Sequence, residues 1–258
     1  MKIQYLPSTF ESDGSASERQ HLTCIVVNDH VAVDAGSLAF ACTSEQRQQI
    51  RDVILTHVHL DHIAGLPLFI DDLFATLTEP IRIHATREMI DILERDIFNW
   101  AVYPQFSELK NANGPVMEYC RYATGKSFEV KGLTVMPVAV NHNVQSAGMM
   151  VSDGRITVGI TGDTAATDDI WNEFNRTKDL AAVFVECAFP DEMAELAGVS
   201  CHLTPSLLAE ELLKFDRVDV PVYVVNIKPM HREKVIAQIV DLTGPNVSIL
   251  EIGRAYEF

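Results

Sequence analysis

The segment Thr56-His57-Val58-His59-Leu60-Asp61-His62 limits what this chain can fold into more than any other feature of it. Four metal-binding side chains fall within six residues, directly after the short β-branched run Arg51-Asp52-Val53-Ile54-Leu55-Thr56. A buried strand ending at Thr56 leaves the histidines on the loop beyond it, the usual place for chemistry in open α/β layers. Imidazoles and carboxylates bind borderline divalent cations well, and this spacing gathers four of them around one tight turn. A hydrophilic turn with stray histidines would explain neither the clustering nor the strand in front of it.

The rest of the chain reads as alternating strands and helices. Strands are expected over Ile3 to Leu6, Leu22 to Val27 and Val31 to Asp34, with Ser8 to Gln20 as a polar loop. Apolar residues recur at helical spacing from Ile63 to Leu77, Ile81 to His84 alternates like a strand, and a helix follows from Arg87 to Phe98. The middle is β-rich, with strands at Met117 to Tyr122, Ser127 to Val130, Leu133 to Val140, Gly148 to Ser152 and Arg155 to Ile160, and Asp153-Gly154 as a hairpin turn. Helices at Ile170 to Arg176, Pro205 to Lys214 and His231 to Leu242 alternate with strands at Ala181 to Glu186 and Val222 to Val225. Thr204 before Pro205 makes a sound helix start, a capping hydroxyl with proline at the first helical position. No linker divides residues 1–258, so one domain is expected, with two sheets packed face to face and helices outside.

Three later positions offer further metal ligands, each just beyond an expected strand: His142, Asp163 in Thr161-Gly162-Asp163-Thr164, and His231. With 36 acidic residues against 20 basic, the net charge of -16 disfavours long nucleic acid as a partner. A small anion stays compatible, because bound divalent cations reverse the local field. No signal-like or membrane-spanning run is expected, and the five scattered cysteines fit reduced thiols in the cytoplasm.

The T-H-x-H-x-D-H segment, the later His142, the Gly162-Asp163-Thr164 turn and the final His231 together resemble the metallo-β-lactamase superfamily. That resemblance implies a four-layer αββα sandwich with metals at one edge of the two sheets. It also implies that His57, His59 and His142 hold one divalent metal, that Asp61, His62 and His231 hold the other, and that Asp163 bridges them. The iron-dependent flavoprotein reductases of the superfamily carry a carboxylate where His59 stands, so hydrolysis with zinc, or manganese or iron in the same role, is expected. Two such ions can clamp a phosphodiester and activate the attacking water. Asp61 or Asp163 would orient that nucleophile.

Two more segments bear on the substrate. Glu186-Cys187-Ala188-Phe189-Pro190 with Cys201-His202-Leu203-Thr204-Pro205, and Ile97-Phe98-Asn99-Trp100-Ala101-Val102-Tyr103-Pro104, resemble the class II cyclic nucleotide phosphodiesterases. The loop Pro7-Ser8-Thr9-Phe10 departs from that family, which has a Gly-rich start there. His202 also resembles a histidine of transfer-RNA 3′-processing enzymes, and as a protonated imidazole it would donate to the phosphoryl or leaving 3′ oxygen. Asn99 and Trp100 are candidates for a wall against the base, and Asp34 for a carboxylate that steadies a ligand-bearing loop or for a turn residue before Gly36. Glu186 reads as a solvated strand end and His84 as a structural residue. The expectation is a cytoplasmic, homodimeric, dinuclear phosphodiesterase acting on cyclic AMP or cyclic GMP, a small anionic phosphodiester. RNA 3′ processing, lactone or thioester hydrolysis and an inactive metal-binding protein are the alternatives.

Overall fold

A computed structural model of the chain describes every residue except Thr243 and Pro245. Its contacts gather into two compact units, one built from residues 1–17, 22–123 and 252–257, the other from 18–21, 124–251 and 258.

In the first unit lie β1 (Lys2–Tyr5), β2 (Ile25–Val27), β3 (Val31–Val33), β4 (Asp52–Ile54), β5 (Ile81–Ala85), the small ribbon β6 (Lys110–Asn111) and β7 (Gly114–Pro115), and β8 (Met117–Arg121). The second unit holds β9 (Phe128–Val130), β10 (Leu133–Ala139), β11 (Ala147–Ser152), β12 (Thr157–Ile160), β13 (Leu180–Glu186), β14 (Val222–Val225) and β15 (Val247–Ile249), and β16 (Ala255–Glu257) returns to the first. Each unit has a seven-stranded mixed sheet, ordered β16-β1-β2-β3-β4-β5-β8 in the first and β15-β14-β13-β12-β11-β10-β9 in the second. The interior strands β4 and β13, each paired in parallel on both sides, are almost wholly buried and apolar apart from Asp52 and Glu186 at their ends, as parallel strands covered on both faces must be.

Strand direction decides where function can sit. In the first sheet β3 and β4 run parallel, so Asp34 and the histidine loop leave the same edge. In the second, β11 is antiparallel to both β10 and β12, while β12, β13 and β14 run parallel. The carboxyl ends of β10, β12, β13 and β14 therefore share one edge, and His142, Asp163, Glu186 and Asn226 lie at those ends.

Helices α1 (Leu38–Ala41), α2 (Ser44–Gln49), α3 (Leu60–Ile63), α4 (Leu66–Leu73) and α5 (Arg87–Asp96) belong to the first unit, and α6 (Asp169–Arg176), α7 (Ala194–Ser200), α8 (Pro205–Leu212) and α9 (Arg232–Leu242) to the second. In the second unit Ile170, Trp171 and Phe174 of α6, Leu208 of α8, and Val235 and Ile239 of α9 share a core with Val183, Val185, Val222 and Val224 of β13 and β14. The helix expected over Ile63 to Leu77 is shorter, α4 alone, and begins after Gly65, whose N–H donates to the Ala35 carbonyl at 3.1 Å and where a Cβ would collide with the carbonyl oxygens of Ala35 and Gly36. Among the described residues no helix is long and apolar enough to cross a membrane.

At the other end of β4, Asp52 is buried and accepts a bidentate pair of hydrogen bonds from Arg82, each 2.8 Å, and a 2.8 Å contact from His84 Nε2. Burial works against the Asp52 carboxylate, but the hydrogen bonds and charges of Arg82 and His84 outweigh it and hold the carboxyl far below the usual range. A carboxyl depressed in the folded state contributes stability that is complete above its unfolded value, about 3.9, and is lost as pH falls through the folded one. Asp52→Asn should therefore lower the melting temperature at neutral pH, with the gap to the parent closing in acid. A gap independent of pH would sink this account.

Candidate metal and catalytic site

The histidine loop of the first unit is held from below by Asp34. This residue follows β3 in the left-handed region (φ 60), and it is buried. Its Oδ1 accepts the Thr56 backbone N–H at 2.8 Å, and its Oδ2 accepts the Thr56 hydroxyl at 2.8 Å and His62 Nδ1 at 2.7 Å. The Thr56 hydroxyl, having donated to Asp34, has a lone pair for His57 Nδ1 at 3.0 Å. Both imidazoles thus carry their proton on Nδ1 and present Nε2. That is how carboxylate-anchored histidines are prepared for a metal.

Backbone contacts fix the same loop. Thr23 N–H donates to the Asp61 carbonyl at 2.8 Å and Ala35 N–H to the His62 carbonyl at 2.7 Å. Only glycine fits at position 36, since a Cβ there would overlap the Asp61 carbonyl. The rings of His59 and His62 stand 4.7 and 4.1 Å from that of His57, and His62 Nε2 is 4.0 Å from Asp61 Oδ2. His57 and His62 are fully buried, whereas His59 and Asp61 are half-buried.

The second unit assembles a set of its own along its strand ends. His142, Asp163 and His202 each offer a ligand atom within 4.8 Å of the others. His142 Nδ1 donates to the Cys201 carbonyl at 3.0 Å, a carbonyl aimed by the left-handed turn of Cys201 (φ 54) after α7. His142 therefore also presents Nε2. Asn226, directly after β14, donates from Nδ2 to Asp163 Oδ1 at 2.7 Å.

Glu186 is not the solvated strand end that its position suggests. It is 1% exposed, and its Oε1 accepts His202 Nδ1 at 2.8 Å and the Thr164 N–H at 3.0 Å, while Oε2 accepts the Leu203 N–H at 3.3 Å. Burial pushes the Glu186 carboxyl up. Burial also works against an imidazolium at His202, but the Glu186 charge and hydrogen bond, with Asp163 3.9 Å away, hold its pKa above the ordinary value. The bond to Glu186 fixes a proton on Nδ1 and leaves Nε2 as the ring atom that can exchange one. Phe189 packs edge-on to the His202 ring at 5.7 Å and completes its cage.

His231 closes a 3-10 turn, Pro229–His231, with its ring 6.3 Å from that of Phe189. Among the described residues it joins no group of three metal-binding side chains whose ligand atoms lie within 4.8 Å of one another. Asn99 uses its side chain to shape its own loop, accepting the Ala101 and Val102 N–H groups and donating to the Arg95 carbonyl. Trp100 beside it has a left-handed backbone (φ 66) and is 58% exposed, not the helix-end core that a tryptophan more often joins. The sequence reading took Glu186 for a solvated strand end and passed over Asn226. A charged residue closing the otherwise apolar run Leu180 to Glu186 was the available signal for the first.

In each unit imidazoles with engaged Nδ1 atoms stand beside carboxylates, a donor set suited to divalent zinc-like ions. A family model described as a beta-lactamase superfamily domain matches residues 30–224. A probable 3′,5′-cyclic-nucleotide phosphodiesterase of Yersinia pestis is 26% identical over 214 residues, covering 72% of this chain and 60% of that protein. The tRNase Z TRZ2 of Arabidopsis thaliana is 28% identical over 140 residues, covering 52% of this chain and 35% of its own length. The chain thus spans less than two thirds of these curated relatives. The metallo-β-lactamase fold protein YhfI from Bacillus subtilis superimposes with a TM-score of 0.71 at 15% identity, covering 99% of each chain, which shows the same fold here.

Proposed function

The chain belongs to the beta-lactamase superfamily, and on that basis we propose that it is a dinuclear metal-dependent phosphodiesterase that opens 3′,5′-cyclic nucleotides to 5′-monophosphates. The observation that carries this reading is the buried Glu186–His202 pair, with His202 Nδ1 2.8 Å from the carboxylate. A proton donor built this firmly serves a departing alkoxide, whereas a thioester releases a thiolate that leaves without one. The likeness to a protein named as a cyclic-nucleotide phosphodiesterase supports the same substrate class.

In this proposal His57, His59 and His142 hold one divalent ion, Asp61 and His62 contribute to the other, and Asp163 serves both. Zinc suits the donor set, with manganese or iron as the alternatives. When bound, such ions supply Lewis acidity at phosphorus and acidify water. The chain's own residues do the rest. Asp61 orients the attacking water and takes a proton from it, the water oxygen bonding to phosphorus as the bond from phosphorus to the 3′ oxygen breaks. His202 delivers its Nε2 proton to that 3′ oxygen, while Glu186 keeps the ring in place and balances its charge. Trp100 offers an exposed face for a base, and Asn99 acts by holding the Trp100 loop. The same reading takes the protein as a cytoplasmic homodimer, which light scattering at twice the chain mass would support.

The Arabidopsis likeness favours RNA 3′ processing as a second reading, against which stands the net charge of -16. The test is steady-state hydrolysis of cyclic AMP, cyclic GMP, a chromogenic phosphodiester and a precursor transfer RNA by metal-analysed protein. Cyclic nucleotide turnover to the 5′-monophosphate is the expected result. Cleavage of the chromogenic diester alone removes the cyclic nucleotide assignment, and cleavage confined to the RNA selects the second reading.

A further inference from the structure

In the second unit the residue that approaches Asp163 from the end of β14 is an amide. Asn226 is the first residue after β14, is buried, and holds a left-handed backbone (φ 56) that aims its side chain at Asp163. The 2.7 Å hydrogen bond from its Nδ2 engages Asp163 Oδ1, while Oδ2 lies 3.9 Å from His202 Nδ1. An amide nitrogen that donates has no lone pair for a cation. Its partner atom is a neutral carbonyl oxygen, a poor ligand for a zinc-like ion beside imidazole and carboxylate. The histidine implied as the last ligand, His231, comes five residues later. It closes the 3-10 turn beside Phe189 and joins no three-ligand group among the described residues.

We infer that His231 is not a metal ligand and that Asn226 stands in its place beside Asp163 as a positioning residue, so that the chain binds two divalent ions unequally. The inference rests on the reading that the histidine clusters hold divalent metal. The His57, His59 and His142 set loses nothing by this exchange. The set that includes Asp61, His62 and Asp163 is one imidazole short, and its ion exchanges with the medium. Asn226 still has work to do. By occupying Oδ1 it fixes the Asp163 carboxylate in one orientation and leaves Oδ2 as the atom given to metal, as outer hydrogen-bond partners of ligating carboxylates do.

Zinc titration of the demetallated full-length protein against a chromogenic chelator, with metal analysis after gel filtration, tests this. The parent should show two steps, the first held against the chelator and the second lost to it. His231→Ala should leave both steps within about twofold of the parent, while Asn226→His should tighten the second by about 10- to 100-fold. Histidine is among the residues that tolerate a left-handed backbone, so the substitution suits the turn. Two equally tight steps in the parent would overturn the inference, and so would loss of the second step in His231→Ala. Should Asn226→His fail to fold, His231→Ala decides alone, since a retained second step in a normally melting protein supports the inference and a lost one ends it. Cyclic nucleotide turnover is measured separately on the same samples. Two unequal steps without turnover would remove the substrate reading and keep this one, whereas no zinc uptake by any variant would remove both.

Discussion

His202→Ala is expected to lower kcat for a cyclic nucleotide by about 10²- to 10⁴-fold while leaving the first zinc bound, the range that a positioned general acid contributes. A 3′ alkoxide is a poor leaving group, and a diester activated by a nitrophenolate needs no proton to depart. The same variant should therefore lose far less on the chromogenic substrate, and the ratio of the two losses isolates the proton from general damage to the site. Glu186→Gln is the companion. Its amide can no longer match the Thr164 N–H, the Leu203 N–H and His202 Nδ1 as a carboxylate does, so His202 loses both its orientation and its charge partner. A loss of about 10- to 100-fold is expected for a group acting through another, again concentrated on the natural leaving group. Equal losses on both substrates would remove the proton-donor role from His202.

The metal-binding loop was legible because its chemistry is compressed into consecutive residues. Thr56 to His62 needs no tertiary information to be recognised, and the strand before it ends within two residues of the expected place, at Ile54. Most strands were readable for a similar reason, since period-two alternation or an unbroken apolar run is local. Val222 to Val225 matches β14 residue for residue, and Leu133 to Val140 overshoots β10 by one. What failed depended on partners distant in sequence. The late start of α4 goes with Gly65 giving its N–H to the Ala35 carbonyl, about 30 residues earlier, which no helical periodicity registers. Strands β15 and β16 are three residues each and are defined by β14 and β1 beside them. Helix α7 contains Gly198 and a single turn's worth of apolar residues, below what a helical pattern needs to stand out.

The site was divided in the same way. Ligand-type residues could be named one by one, and Asp34 could be offered either as an orienting carboxylate or as a turn residue, because an orienting carboxylate differs from any other only in what surrounds it. Glu186 is the clearest case, a charged residue at a strand end that the fold buries to 1% exposure behind His202. Asn226 is the converse, a turn-type residue after a strand whose side chain is spent on Asp163.

The second large effect is expected at Asp34, and it should appear in stability as well as in metal binding. Asp34→Ala strands three donors at once, the Thr56 N–H, the Thr56 hydroxyl and His62 Nδ1, all of them buried. A buried donor left unsatisfied costs about 1–3 kcal/mol, so the loss at three donors is large, and alanine at a left-handed φ of 60 adds backbone strain. For the same reason His62 loses the contact that puts its proton on Nδ1, so zinc affinity should fall by about 10- to 100-fold. Asp34→Asn separates these effects. Asparagine accepts the backbone conformation, and its one carbonyl oxygen can satisfy one donor side, but its amide NH₂ then faces the other. It should recover part of the stability and little of the metal affinity. Melting curves with chelator present report the fold alone, and the upward shift on adding zinc reports the metal. If Asp34→Ala melts with the parent under chelator, the carboxylate does not hold the loop; if it melts early yet takes up zinc with the parent's affinity, His62 is oriented by something else.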